Sequence, residues 1–162
     1  MDDMWRRRKV PGLLAVAAAP LLAAACGGEP PPPLDPSSFQ PIPLAPCEED
    51  PADGLAPEQR SIVAMIAALH ARAFQIHQVS HSELAIFTRF REVQGIPIAW
   101  EIRFQPDGAG ALAVAETTPP QDARAFRRIR EWGRKLAGTF DNLKCRPSAE
   151  LRARCERAGF TF

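Results

Sequence analysis

The sequence of 162 residues contains no tyrosine, and its 20 Lys+Arg and 19 Asp+Glu leave almost no net charge. It also lacks an unbroken apolar run of the roughly 20 residues that a membrane-spanning helix needs. The length allows one ordinary domain with extensions and excludes a multidomain enzyme. Gly-x-Ser-x-Gly elbows, phosphate-binding glycine loops and paired metal-type cysteines are absent, which removes the usual carriers of serine hydrolysis, nucleotide binding and structural zinc. Ser37, Ser38, Ser61, Ser80, Ser82 and Ser148 lie in proline-rich chain or at positions suited to helix caps. The expectation is a non-enzymatic protein without a cofactor.

What is present divides into three stretches. The first, residues 1–25, opens with Trp5-Arg6-Arg7-Arg8-Lys9 and continues into a 16-residue apolar run from Val10 to Ala25, interrupted by Pro11, Gly12 and Pro20. A basic start, a short apolar run and small residues make a secretory signal. It ends in Leu22-Ala23-Ala24-Ala25-Cys26-Gly27-Gly28, which resembles the lipobox of bacterial lipoprotein precursors, with leucine one position farther out than usual. The resemblance implies a diacylglyceryl group on Cys26, which then becomes the acylated N-terminus, carrying chains such as palmitate. Gly27 implies sorting to the outer membrane, facing the periplasm. Two or three acyl chains anchor firmly where one alone is marginal. Ala23-Ala24-Ala25 also suits ordinary signal-peptidase cleavage, which would leave a soluble periplasmic protein.

Residues 26–57 hold ten prolines and six acidic groups (Glu29, Asp35, Glu48, Glu49, Asp50, Asp53) and no basic one. Proline fixes φ and removes a donor, so neither helix nor inner strand is expected. This reads as a disordered acidic tether that reaches on the order of 100 Å at ~3.1 Å per residue.

Residues 58–162 are long enough for one small core. Ile62, Ile66, Leu69, Ala73 and Ile76 step by three and four, predicting a helix from Pro57 to Val79. Leu84 to Val93 carries both periods, and its β-branched and aromatic content favours strand. Ile98, Trp100, Ile102 and Phe104 alternate with Ala99, Glu101, Arg103 and Gln105, the period of a strand with one buried face. Pro106-Asp107-Gly108-Ala109-Gly110 is turn chemistry, and Leu112 and Val114 mark the returning strand. Thr118-Pro119-Pro120-Gln121 predicts a helix start, Phe126, Ile129, Trp132 and Leu136 its apolar face, and Gly138 its end. Ser148 opens a short helix ended by Gly159, and Phe160-Thr161-Phe162 forms a last short strand or a tail. The expected class is α+β, in the order α-β-β-β-α-α, with helices packed on a small antiparallel three-stranded sheet.

The hairpin and helix of residues 95–132 resemble the C-terminal domain of the TonB family. The matching residues are Pro106-Asp107-Gly108, Phe126, Arg130 and Trp132. The Tyr-Pro element of that family is absent upstream. The resemblance covers about a quarter of the chain and implies a hairpin-plus-helix fold, not energy transduction.

Three sets of residues are candidates for chemistry. His70, His77 and His81 would share one stripe if the first helix continued through Ser80, and His77 and His81 would then have the i, i+4 spacing of two imidazoles on one metal. Such a stripe is the basis of the alternative, a small periplasmic metal-binding or hydrolytic enzyme. No glutamate follows His77, and no third ligand is near, so boundary histidines and no metal are expected.

The second set is basic. Arg124, Arg127, Arg128, Arg130, Arg134 and Lys135 fall on the outward side of the Phe126–Leu136 helix, relieved only by Asp122 and Glu131. A solvated helix face has this pattern, and so does a surface for an anionic envelope polymer or an acidic protein. The Glu48-Glu49-Asp50 cluster is a competitor within the same chain. Nucleic acid is not expected for an exported protein.

The third set is Cys47, Cys145 and Cys155. An exported chain meets oxidising conditions, and with Cys26 lipidated these three permit one bridge and one free thiol. Cys145–Cys155 would close a short loop. Pairing Cys47 with either would close a longer one, which restricts the unfolded chain more and is slightly favoured.

Overall fold

The computed structural model describes residues 39–49, 53–117 and 123–161. The stretch expected to be a signal sequence, Cys26 and the helix start expected at Thr118–Gln121 lie outside these residues. Strand β1 (Ile42–Leu44) is followed by helix α1 (Pro57–Ala71), strands β2 (Ile76–Ser80), β3 (Ala85–Thr88), β4 (Arg91–Val93), β5 (Ile96–Phe104) and β6 (Gly110–Thr117), and helices α2 (Ala123–Leu143) and α3 (Ser148–Arg157). The class is α+β with an antiparallel sheet, but the sheet has six strands rather than three. Its order is β1-β6-β5-β3-β2, with β4 also paired to β5.

Each added strand has a local cause. The first helix stops at Ala71 because Ala73 takes a left-handed φ of 57°. The Phe74 N–H then reaches the Leu69 carbonyl at 2.9 Å and the Ala73 N–H reaches that of His70 at 2.9 Å. This is the two-bond Schellman ending, with Phe74 and Leu69 both in the core as its apolar pair. An alanine holds the place that glycine usually takes, so the sequence carries no stop signal, and Ile76–Ser80 becomes strand instead of helix.

The stretch 84–93 is strand, as its composition favours, but interrupted. Thr88 and Arg91 sit three residues apart, while the β5 residues facing that stretch, Trp100 and Ile98, sit two apart. The additional residue leaves the ladder, and the Thr88 hydroxyl accepts the Trp100 backbone N–H at 2.8 Å. β6 is also irregular opposite Ala99 and Trp100. The strand carrying Trp100 is therefore bulged against on both sides.

The alternation along β5 holds except at Ala99: Ile98, Trp100, Ile102 and Phe104 are buried together with Leu112 and Val114 of β6, but Ala99, expected on the outward face, is buried as well. Helix α1 packs against α2, α3 and β5, and this explains why it is buried on every side from Arg60 to Leu69. Gly138 does not end α2, which continues to Leu143 and buries Ala125, Ile129, Gly133, Leu136, Ala137, Phe140 and Leu143. Phe126 and Trp132 lie partly buried at its flanks. Thr161 is in no strand, and Phe160 packs on the core.

The sheet begins inside the stretch read as tether. Phe39 and Leu44 are buried, and β1 pairs antiparallel with β6 through Ile42–Leu112 and Leu44–Gly110. β1 is an edge strand, the place in a sheet that tolerates the missing donor of Pro43. Residues 39–47 form a strap along α2. Phe39 stacks near Phe126, with ring centroids 6.2 Å apart. Ile42 abuts Gly133, Lys144 Nζ donates to the Ala45 carbonyl at 3.1 Å, and Cys47 is bonded to Cys145. The strap advances about 3.3 Å per residue and the helix about 1.5 Å. Eight strap steps therefore match the nineteen helix steps from Phe126 to Cys145.

Candidate partner-binding site

The site is built on the first half of α2, where the apolar stripe points at the sheet and leaves the opposite side to solvent. Arg124, Arg127, Arg128, Arg134 and Lys135 are exposed, and Arg130 is half-buried. The six cations fall within 12 residues, roughly 18 Å of helix. Glu131 is the one acidic residue among them. It pairs with Lys135 at 2.8 Å. The Lys135 side-chain hydrogen bond and charge, aided by Arg128, hold its carboxyl below the ordinary range despite some desolvation. Arg124, Arg127 and Arg134 make no hydrogen bond or ion pair with a described residue.

Aromatic rings fix the flanks. The Arg130 guanidinium lies 5.6 Å from the Phe39 ring centre and Lys135 Nζ lies 5.1 Å from that of Trp132. From the sheet side, Arg91 sits 5.9 Å from Trp132 and 4.9 Å from Phe74, and donates to the Arg72 carbonyl. Cations thus lie against the half-buried Trp132 and the buried Phe39 and Phe74 rings. Arg91 was not recognisable from sequence as part of this group, because strand β4 and helix α2 meet only in the fold.

The position of the charge on the helix is unfavourable for the helix itself. Unsatisfied N–H groups make a helix start positive, and acids stabilise it there. Among the described residues the first turn of α2 has no acid, and its cations crowd the same end. Charge placed for helix stability would have the opposite arrangement.

The acidic cluster does not neutralise this surface. Glu48 and Glu49 follow Cys47, which the disulfide holds beside Cys145, just past the end of α2 at Leu143, about 28 Å of helical rise from Arg124. Asp50 lies outside the described residues. Asp53 is engaged elsewhere: it pairs with Arg60, which is only 3% exposed, and accepts the Ser148 N–H at 2.8 Å. Burial works against the charge on Asp53, yet the Ser148 backbone and side chain, the Leu55 N–H and Arg60 together hold its pKa below the usual range. Arg60 also donates to the Arg146 carbonyl at 3.1 Å, so this pair joins the loop before α1, α1 itself and the chain leading into α3.

The histidine stripe does not exist. With α1 ended at Ala71, His70 lies at its last turn, His77 on β2 and His81 in the following turn. They line three different cavities, of about 290, 670 and 310 Å³ respectively. Among the described residues no three His, Cys, Asp or Glu side chains come together as a metal site.

The cysteines divide into a bridge and a free thiol. Cys47 and Cys145 are joined across 98 residues of sequence with Cα atoms 5.2 Å apart. Cys155 is fully buried, its sulfur 3.4 Å from the Val63 carbonyl, and burial pushes its pKa up to about 11. A thiol so held stays protonated at neutral pH and is a poor nucleophile. No protein-family profile matches the chain, and no curated protein is significantly similar to it.

Proposed function

We propose that the protein is a lipid-anchored cell-envelope protein whose folded domain is a non-enzymatic binding module, with the first half of α2 as its contact surface for an anionic partner. The observation that supports this reading is the run of exposed arginines in the first half of α2, where they oppose the helix dipole and where Arg124, Arg127 and Arg134 form no ion pair among the described residues. An anionic envelope polymer or an acidic protein would be attracted to such a surface, and a nucleic acid is not the expected partner of an exported chain.

Two measurements test the two halves of the proposal. Intact mass of the protein isolated from membranes should show a diacylglyceryl-modified Cys26 at the N-terminus; an unmodified mature chain would defeat the anchor. For the surface, Arg124, Arg127, Arg128 and Arg134 are replaced together by Gln, and retention of the full chain on an immobilised polyanion is followed against salt. The variant should elute at clearly lower salt than the wild type, because screening and charge removal act on the same contact. Identical elution would overturn the assignment of α2.

A further inference from the structure

Helix α1 is apolar nearly all round, so every side of it needs a cover. Helices α2 and α3 and strand β5 supply most of that cover. Gln59, Ile62 and Val63, spaced as one stripe of α1, are covered instead by the ends of other elements: Leu55 ahead of α1, His81 in the turn after β2 and Arg152 of α3. Ends meet less closely than packed faces, and here they leave the cavity of about 310 Å³ that His81 lines. We infer that this cavity binds a small amphiphilic carboxylate. The site is separate from the basic surface, since no residue of α2 lines it.

The chemistry of the walls selects the ligand. Ile62 and Val63 are buried and make an apolar floor, while Gln59, His81 and Arg152 are exposed at the rim. An apolar cavity with a few convergent polar groups is the usual form of a small-molecule site, and this one is at the lower end of the usual size range. The rim cations are unsatisfied. Arg60 of α1 has Asp53 and Arg154 of α3 has Glu150, whereas neither Arg152 nor His81 makes a hydrogen bond or ion pair with a described residue. No acid lines the cavity. Of the acids nearest in sequence, Glu150 is taken by Arg154, and Glu58, Glu83 and Glu156 form no ion pair with a described residue. The turn that carries His81 is fixed on both sides, by the Glu83 N–H on Ser80 Oγ at 3.3 Å and by the left-handed Leu84. A guanidinium fork pairs bidentately with one carboxylate, and a single arginine is satisfied by a single such head group. With Arg152 on the head, Leu55, Ile62 and Val63 are left for the apolar body. At about 30 Å³ for each non-hydrogen atom the cavity holds on the order of ten, the size of octanoate.

The isotopically labelled full chain is titrated with octanoate and followed by amide NMR. The expected result is a saturable shift of the Gln59, Ile62, Val63 and Arg152 amides, with a Kd of about 1 mM or tighter. Octanol carries the same body without the charge and should bind at least about tenfold more weakly, the loss expected when a charge-assisted hydrogen bond is removed. Acetate carries the head without the body and should give no saturable shift over the same range. Arg152→Gln should weaken octanoate by about tenfold or more and leave the melting temperature unchanged, because the side chain is exposed and unpaired. No saturable shift with octanoate, octanol binding as well as octanoate, acetate binding as well as octanoate, or an unchanged affinity in Arg152→Gln would each overturn the inference. None of these results bears on the retention of the α2 surface by a polyanion.

Discussion

The strap (residues 39–47) and the first half of α2 lie side by side, and each differs from the impression its composition makes. The strap, with its prolines and its acidic continuation, has the composition of a spacer, yet it supplies an edge strand, two buried side chains and one end of the disulfide. The first half of α2 has the periodicity of a helix made for packing, yet most of its charge does nothing for the fold. The difference follows from which side chains find partners. A few large apolar groups at the right spacing draw a proline-rich segment into a core, because their burial outweighs the missing donors at a sheet edge. Arg60 is drawn in only with Asp53 beside it, and the arginines of this half of α2, apart from the half-buried Arg130, stay exposed.

Trp100 gives the largest expected effect, since strap and helix both rest on it. It is fully buried, and its ring meets Phe39 at 6.2 Å, Phe74 at 6.3 Å and the space over Gly133. Trp100→Ala should cost roughly 3–5 kcal/mol, which for a domain of this size approaches the whole stability. Denaturant unfolding measures it, and a loss below about 1 kcal/mol would mean that the two regions do not share this support. Its indole Nε1 is buried without a partner among the described residues. Trp100→Phe should therefore cost clearly less than its lost area suggests, because an orphaned donor leaves with it.

Next is the disulfide, which fastens the strap and leaves the basic surface alone. Replacing Cys47 and Cys145 by Ser together should destabilise the domain by roughly 2–5 kcal/mol, the range for long loops such as this one of 98 residues. Non-reducing peptide mapping should recover the Cys47–Cys145 pair, and Cys155 should react with an alkylating reagent only after unfolding. Should Cys155 react as fast as a free thiol in the folded protein, its assigned burial would be wrong.

A third effect depends on pH. A carboxyl whose pKa is depressed on folding contributes stability that is complete above its unfolded value, near ~4, and is lost as pH falls through the folded one. Asp53, Glu131 and Glu150 are all lowered, Glu131 chiefly by its Lys135 hydrogen bond and Glu150 chiefly by that from Arg154. Of these three, Asp53 alone is paired with a buried partner, Arg60. Melting temperatures should therefore fall from pH 5 towards pH 2, and Asp53→Asn should start lower at pH 7 and fall less. Parallel curves for the two proteins would show that the Asp53–Arg60 pair does not contribute to the acid sensitivity.

Much of the domain was legible in the sequence, and the failures have physical causes. The β5–turn–β6 hairpin and the packed face of α2 follow from simple periodicity, which burial enforces. The end of α1 was hidden because Ala73 occupies a left-handed position without the glycine that announces one. β2 was lost with it, and the histidine stripe was an artefact of extending the helix through both. β1 was hidden by its prolines, although Phe39, Ile42 and Leu44 were a signal: three large apolar residues have no use in a passive spacer. The basic set on α2 could be listed from sequence, but neither Arg91 nor the parallel run of the strap could, since both depend on contacts between distant segments.

The two glycines of α2 provide the finest comparison, because one faces the strap and the other faces open space. A Cβ added at Gly133 would lie 2.5 Å from Ile42 Cδ1 and 3.1 Å from the Trp100 ring, whereas one added at Gly138 would meet nothing within 4 Å. Gly138→Ala should therefore show the bare helix preference, a stabilisation of about 1 kcal/mol. Gly133→Ala gains the same preference but must displace the tip of Ile42 and press on the indole, and overpacking of this kind costs about 1–3 kcal/mol. A small net destabilisation is expected. Thermal melts of the two variants under one condition give the sign of each change. If Gly133→Ala stabilised the protein as much as Gly138→Ala, the strap would not be seated against α2 at Ile42.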